Sequence, residues 1–247
     1  MIYDFITLDF ETASSKYYSA CSLGMAFVKN GKIVDKRYYL INPPCNFSTY
    51  NVKIHGLTKK DVEKAPTWIE IWPEIHELTK NSLLIAHSAS FDISVLIACC
   101  NYYDLPLPHF DYIDSIDLFR AAYPSHHKAS LDYCSHLLNI DLENHHNALD
   151  DALACAHIAI KSIRKIQKLP LPQMIAAFKN IAIKPSNIVF TLPKLAPDHP
   201  LYGQELTFTG DTISIKGNLK IQYNTVVDSP LPLPLPSPHK KKEKGRK

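Results

Sequence analysis

No run of 18 apolar residues occurs in the 247-residue chain, so the sequence predicts no membrane-spanning helix. The opening Met1-Ile-Tyr-Asp-Phe5 lacks a basic stretch followed by an apolar one, which argues against a secretion signal. No Cys-x-x-Cys pair exists among Cys21, Cys45, Cys99, Cys100, Cys134 and Cys155. That scatter excludes a zinc-ribbon pattern and a disulfide framework, and predicts reduced, mostly buried thiols of a cytoplasmic protein. No internal repeat is visible. Nor does one sign of charge dominate the body. The net charge is +3, and residues 240–247 alone carry six positive charges and one negative, leaving −2 for residues 1–239. The basic tail therefore accounts for the pI of 8.4, and composition alone does not mark a nucleic-acid binder. What is present is ample apolar material: 46% hydrophobic and 21% charged residues suffice for one large core or two small ones.

The stretch Phe5-Ile-Thr-Leu-Asp-Phe-Glu-Thr12 reads as a buried strand with two carboxylates, Asp9 and Glu11, set into it. Strand side chains alternate, so both acids face the same way and repel unless something cationic lies between them. The plainer reading is a hydrated strand end. Ser22–Val28 and Ile33–Ile41 read as two more strands joined through Asn30-Gly31, a strong hairpin signal, so the three predict an antiparallel meander. A loop over 42–50 follows, and Thr58 has the position of an N-cap before Lys59. Spacing predicts helices over 67–78, 93–102, 116–122, 130–138, 147–169 and 173–181, with short strands at 82–86 and 112–115.

Three further places carry chemistry. Asp92 follows the turn out of a strand, where α/β folds often place site residues; a first-turn acid serving the helix dipole is the plainer alternative. His146 and Asp151 would lie about 140° apart on one helix. They converge more easily if Asn147 caps the helix with Asp150 at its third position and His146 in the preceding loop. The alternative is two surface histidines beside dipole-serving acids. Asp114 ends its strand as either a supporting or a merely structural acid. Four carboxylates from three segments (Asp9, Glu11, Asp92, Asp151) at one place would require divalent cations. All-oxygen donors suit Mg²⁺ or Mn²⁺ better than zinc. Two such ions about 4 Å apart suit in-line displacement at phosphorus, and a histidine beside them suits proton removal from water.

The motifs Asp9-x-Glu11, His87-x-Ala89-x-Phe91-Asp92 and His146-x-Ala148-x-x-Asp151-Ala152 resemble the DEDDh family of 3′→5′ exonucleases, typified by proofreading subunits of bacterial DNA polymerase III. Ile54–Thr58 and Ile113–Ser115 also resemble family segments. Thr12-Ala13-Ser14 departs from the family's frequent Thr-Thr-Gly, and Ser88 stands where Asn is frequent. The resemblance implies an α/β, ribonuclease H-like mixed five-stranded sheet with helices on both faces, spanning residues 1–168. It implies Asp9, Glu11, Asp92 and Asp151 as ligands of two divalent ions, Mg²⁺ or Mn²⁺, and His146 as general base. Thr12, Ala13, His55, Leu57 and Phe91 would contact substrate, with Thr12 and Ala13 offering backbone N–H groups and Leu57 and Phe91 packing on the terminal base. The substrate would be single-stranded or frayed DNA 3′ ends, in replication proofreading or repair. RNA, as in oligoribonuclease-like relatives, is the alternative, and a non-catalytic scaffold on a nuclease fold is a third reading.

From Pro170 the texture changes. Residues 169–198 read as a connector with one possible helix. Residues 199–210 resemble the first strand of a BRCT domain, but too little chain follows to complete one, which suggests a truncated BRCT-like fragment over 199–228 or a short hairpin on the nuclease domain. Residues 229–247 are Pro-rich and then Lys-rich and read as a disordered tail, so the C-terminal extension is expected to be mostly irregular. Gln173–Phe178 faintly resembles peptides that bind sliding clamps, and an ordinary amphipathic helix is the stronger reading. A DNA polymerase or sliding clamp is thus a candidate partner, and a membrane is not.

Overall fold

Asn30 and Gly31 both adopt positive φ (53° and 63°), which turns the chain tightly between two long strands. In the computed structural model, residues 3–181, 189–191, 205–209, 212–215 and 219–222 are described. The strands flanking the turn, β2 (Ala20–Lys29) and β3 (Lys32–Leu40), pair antiparallel, and β2 pairs antiparallel with β1 (Phe5–Thr12). On its other edge β1 pairs in parallel with β4 (Leu83–Ala86), which pairs in parallel with β5 (Asp111–Asp114). The result is a mixed five-stranded sheet of order β3-β2-β1-β4-β5, as the resemblance implied.

Strand periodicity sorts β1 between two cores. Ile6, Leu8 and Phe10 face one layer, built by α3 (Trp68–Thr79) and α4 (Ala89–Tyr102), where Phe10 packs on Trp68. Each fully buried ring of this kind is worth about 1.5–3 kcal/mol. Phe5 and, from neighbouring strands, Ala26, Val28, Ile85 and Ile113 face the other layer, with α5 (Ser115–Ala122) and α7 (Ala148–Ile166). A third cluster seats α6 (Leu131–Leu137) against α5 and α7 through Phe119, Cys134 and Ile158. Asp9 and Glu11 share the parity of Phe5, so they point to the α7 side.

Two features differ from the sequence reading. Residues 49–55, expected as loop and linker, form α1 (Thr49–His55), opened by the Ser48 side chain and closed by Gly56 at φ 77°. The Ser and Gly signals were present, but the intervening turn buries no residue, so no apolar periodicity announced it. Helix α4 starts at Ala89, four residues earlier than spacing suggested, which moves Phe91 and Asp92 from a turn onto its first turn. Thr58 does cap α2 (Lys59–Val62), in a capping box with Asp61. All six cysteines are free thiols, five of them buried.

After α8 (Leu171–Asn180), short strands β6 (Val189–Thr191), β7 (Glu205–Thr209), β8 (Thr212–Ile215) and β9 (Leu219–Gln222) pair antiparallel in that order. This is more regular structure than the irregular extension expected, and the BRCT-like reading of 199–228 gains no support from it. The other residues of that fragment and the tail at 229–247 lie outside the described residues. Among the described residues no helix is long and apolar enough to cross a membrane.

Asp114 joins the two halves of the sheet's carboxyl edge. Its Oδ1 accepts from Ile116 N (2.9 Å), capping α5, and its Oδ2 accepts from Ala89 N (3.0 Å) at the start of α4. An acid that satisfies two helix starts is worth more than one cap, so Asp114→Ala is expected to cost about 2 kcal/mol in urea unfolding. A loss near zero would mean water replaces it freely.

Candidate active site

β1 extends beyond β4, which pairs with it only at Ile6 and Thr7. The Phe10 N–H past that point is taken by Asp92, whose Oδ1 accepts it at 2.9 Å. Asp92 is thereby buried against the strand that carries Asp9 and Glu11. On the opposite side α7 closes in through its N-terminal turns. The Thr7 hydroxyl donates to Ala152 O (2.7 Å), and small residues at Ala148, Ala152 and Ala156 allow the helix to lie low on the sheet.

Gly24 makes the approach possible, and sequence reasoning missed it. It pairs with Asp9 across β1 and β2, and a Cβ there would overlap the backbone of Ala148 and Leu149. The first turn of α7 thus rests on β2 beside Asp9, which brings Asp151 in. Carboxylate oxygens of Asp9, Glu11 and Asp151 lie within 4.8 Å of one another. Asp92 is outside that group, although its charge bears on Asp9.

The electrostatics follow from crowding. Burial, then the charges of Asp92, Asp151 and Glu11, push the Asp9 carboxyl well above its ordinary range. Burial and Asp151 push Glu11 up to about 8. Burial pushes Asp151 up to about 6, against the pull of the His146 N–H that its Oδ2 accepts at 3.0 Å. Asp151 Oδ1 is buried with no hydrogen-bond partner. An orphaned carboxylate oxygen beside two further carboxylates fits a divalent cation with oxygen ligands.

His146 sits in the loop before α7 at φ 71°, as the Asn147 cap predicted; Asn147 Oδ1 accepts from Leu149 N and Asp150 N. The second half of the predicted capping arrangement does not form, because Asp150 accepts from Asn144 Nδ2 instead. The imidazole of His146 is exposed and stacks on His145, with ring centroids 4.1 Å apart. Burial and His145 hold its pKa below the ordinary value, so it is neutral at neutral pH and able to accept a proton. His145, also missed, brings Nε2 to 3.9 Å from Asp151 Oδ2.

These groups line an open cleft of about 320 Å³, together with Phe91, Ser88, His87, Ser130, Leu131 and Asp132. His87 ties the start of α5 to the segment before α6: Nδ1 accepts from the Ser115 hydroxyl (2.7 Å), and Nε2 donates to Ala129 O (2.8 Å). Ser88 stands at φ 67°, in the left-handed region, which costs an L-residue about 1–2 kcal/mol and which Asn tolerates better.

Four of the residues that the resemblance sets at the substrate make contacts within the chain or lie outside the cleft lining. The Ala13 N–H donates to Ser19 O (2.8 Å) and the residue is fully buried, so it has no amide to offer a nucleotide. The chain curls back after β1, and that closure uses the group. Thr12 is buried, its carbonyl accepting from Asn51 Nδ2 (2.8 Å) and His55 Nε2 (3.2 Å). His55 Nδ1 in turn accepts from Leu57 N (3.0 Å), so both ring nitrogens are engaged and His55 positions the loop. Leu57 is half-buried and does not line the cleft. Phe91 does line it and is 38% exposed.

A family model described as Exonuclease matches residues 6–159. The chain is 26% identical over 241 residues to the 3'-5' exonuclease DinG of Staphylococcus haemolyticus, covering 91% of this chain and 27% of that protein. It is 32% identical over 168 residues to the DNA polymerase III PolC-type of Clostridium perfringens, covering 67% and 12%. The chain therefore spans about a quarter or less of the curated relatives it matches. Among solved structures it resembles Exonuclease X in complex with 5' overhanging duplex DNA, with a TM-score of 0.56 and 23% identity over 70% of this chain and 98% of that one. It also resembles the nuclease domain of 3'hExo, a DEDDh family member, bound to rAMP, with a TM-score of 0.52 and 20% identity over 66% and 92%.

Two outcomes are expected. Because the folded-state values of Asp9 and Glu11 exceed the unfolded ones, the metal-free folded protein binds more protons between about pH 4.5 and 8, and its stability falls as pH rises through that window. Mn²⁺ should accordingly raise the melting temperature by several degrees near pH 8 and little near pH 5, and Asp9→Asn should abolish the difference. Gly24→Ala should lift the α7 start, cost about 1–3 kcal/mol of stability and weaken the Mn²⁺ effect, read in the same melts.

Proposed function

This chain belongs to the exonuclease family, and from that premise we propose that it is a metal-dependent 3′→5′ exonuclease releasing nucleoside 5′-monophosphates from single-stranded or frayed DNA ends. The observation that carries the reading is the convergence of Asp9, Glu11 and Asp151 with an unpartnered buried oxygen on Asp151. These three, with Asp92 beside Asp9, would hold two divalent cations, Mg²⁺ or Mn²⁺. Bound there, such ions would stabilise charge on the scissile phosphate and the leaving 3′-oxygen.

The chain's own residues supply the rest. His146, neutral and at the cleft mouth, takes the proton of the attacking water on an imidazole nitrogen. The Asp151 carboxylate fixes the backbone of that histidine, so ligand and base move as one unit. Phe91 offers an exposed ring to the terminal base, a contact every base can make. A grip on unpaired ends removes mispaired termini faster, since unpairing them costs less. In line with the PolC-type and DinG relatives, we place the activity in proofreading or repair of DNA, with a DNA polymerase as partner.

With Mn²⁺ or Mg²⁺, a 5′-labelled single strand should shorten stepwise from its 3′ end. His146→Ala should lower the rate by about 10²–10⁴-fold, and Asp9→Ala by at least as much. Undiminished cleavage by Asp9→Ala overturns the mechanism. An RNA strand of the same sequence, digested in parallel, decides the sugar preference.

A further inference from the structure

Beside the cleft, α4 and the loop after β1 present aromatic rings to solvent instead of to the core. Phe91 is 38% exposed, Tyr17 50% and Tyr102 45%. Positions 91 and 102 are separated by about 16 Å along the helix and about 20° around it, so they share one face of α4. Between them that face carries Ser94 and Ala98, both small and partly exposed. Tyr17 meets Phe91 edge-on with centroids 5.9 Å apart, and Tyr18 stacks flat on Tyr102 at 4.5 Å and 21°. The Lys16 ammonium lies 5.5 Å over the Tyr18 ring. An exposed strip of rings is unfavourable in water and marks a contact surface. One end of this strip is Phe91, which lines the cleft.

We propose that the strip is the track along which a single-stranded nucleic-acid chain lies as its 3′ end enters the cleft. Phe91 and Tyr17 meet a base near the cleft, the Tyr18–Tyr102 pair meets a base farther upstream, and Lys16 meets a phosphate. Flat rings at intervals with one cation among them suit unpaired bases on a charged backbone. Continuity with the cleft selects this occupant over a peptide, which would have no reason to begin at the carboxylates. The inference rests on the reading of the cleft as a 3′-end site, and its test is independent of turnover.

Fluorescence anisotropy in EDTA would measure the affinity of a labelled twelve-nucleotide single strand. Tyr18→Ala/Tyr102→Ala should weaken binding about 10- to 100-fold, while Tyr18→Phe/Tyr102→Phe stays within about threefold of the wild type. An abasic strand of equal length should bind the wild type at least about 10-fold more weakly than the base-bearing strand does, a comparison that needs no variant to fold. Equal wild-type affinity for the abasic and base-bearing strands, or an unchanged affinity in the Ala variant, overturns the track. Failure of the nuclease reading would appear separately, as no shortening of the strand by wild type in Mn²⁺, with the anisotropy result still deciding the strip.

Discussion

Three carboxylates held within 4.8 Å of one another repel, and that repulsion is the constraint around which the sheet's carboxyl edge is built. The strand alternation of β1 commits Asp9 and Glu11 to one face at no choice of the side chains. The third acid arrives on a helix, and a helix reaches a strand this closely only where the strand has no side chain. Gly24 provides that gap opposite Asp9, and the Thr7–Ala152 hydrogen bond holds the helix down. Such a site favours protons at low pH and a cation when ionised, which couples ligand charge to fold stability.

Around the acids, supporting groups are almost all occupied by one another. Asp92 is tied to Phe10 N, Asp114 to two helix starts, His87 to Ser115 and Ala129, and His55 to Thr12 and Leu57. Buried carboxylates beside exposed rings of His145, His146 and Phe91 divide the cleft into a buried floor and an accessible mouth. Pre-organised charge and an accessible base are what phosphodiester hydrolysis requires.

Much of this was legible. The Asn-Gly turn, the apolar opening strand, the Asn147 cap and the order of the acidic motifs each follow from local chemistry that operates within a few residues. The substrate contacts were less so. The resemblance implied Ala13 as a donor to substrate, but the loop closes on itself through Ser19, 6 residues later, and uses the amide. His55 read as either contact or buried bond, and only the partners of both its ring nitrogens distinguish the two. Helix α1 escaped because it buries no residue and so leaves no apolar period.

The sequence by itself determined which residues carry charge, which way β1 turns them and where α7 begins, because strand alternation and the Asn147 cap are short-range. Tertiary structure decided which amides and ring nitrogens stay free, that Asp92 is tied to the β1 backbone beside Asp9, and that Gly24 seats α7. Those outcomes depend on contacts between segments distant in the chain, where a hydrogen bond or a missing Cβ leaves no periodic trace in the sequence.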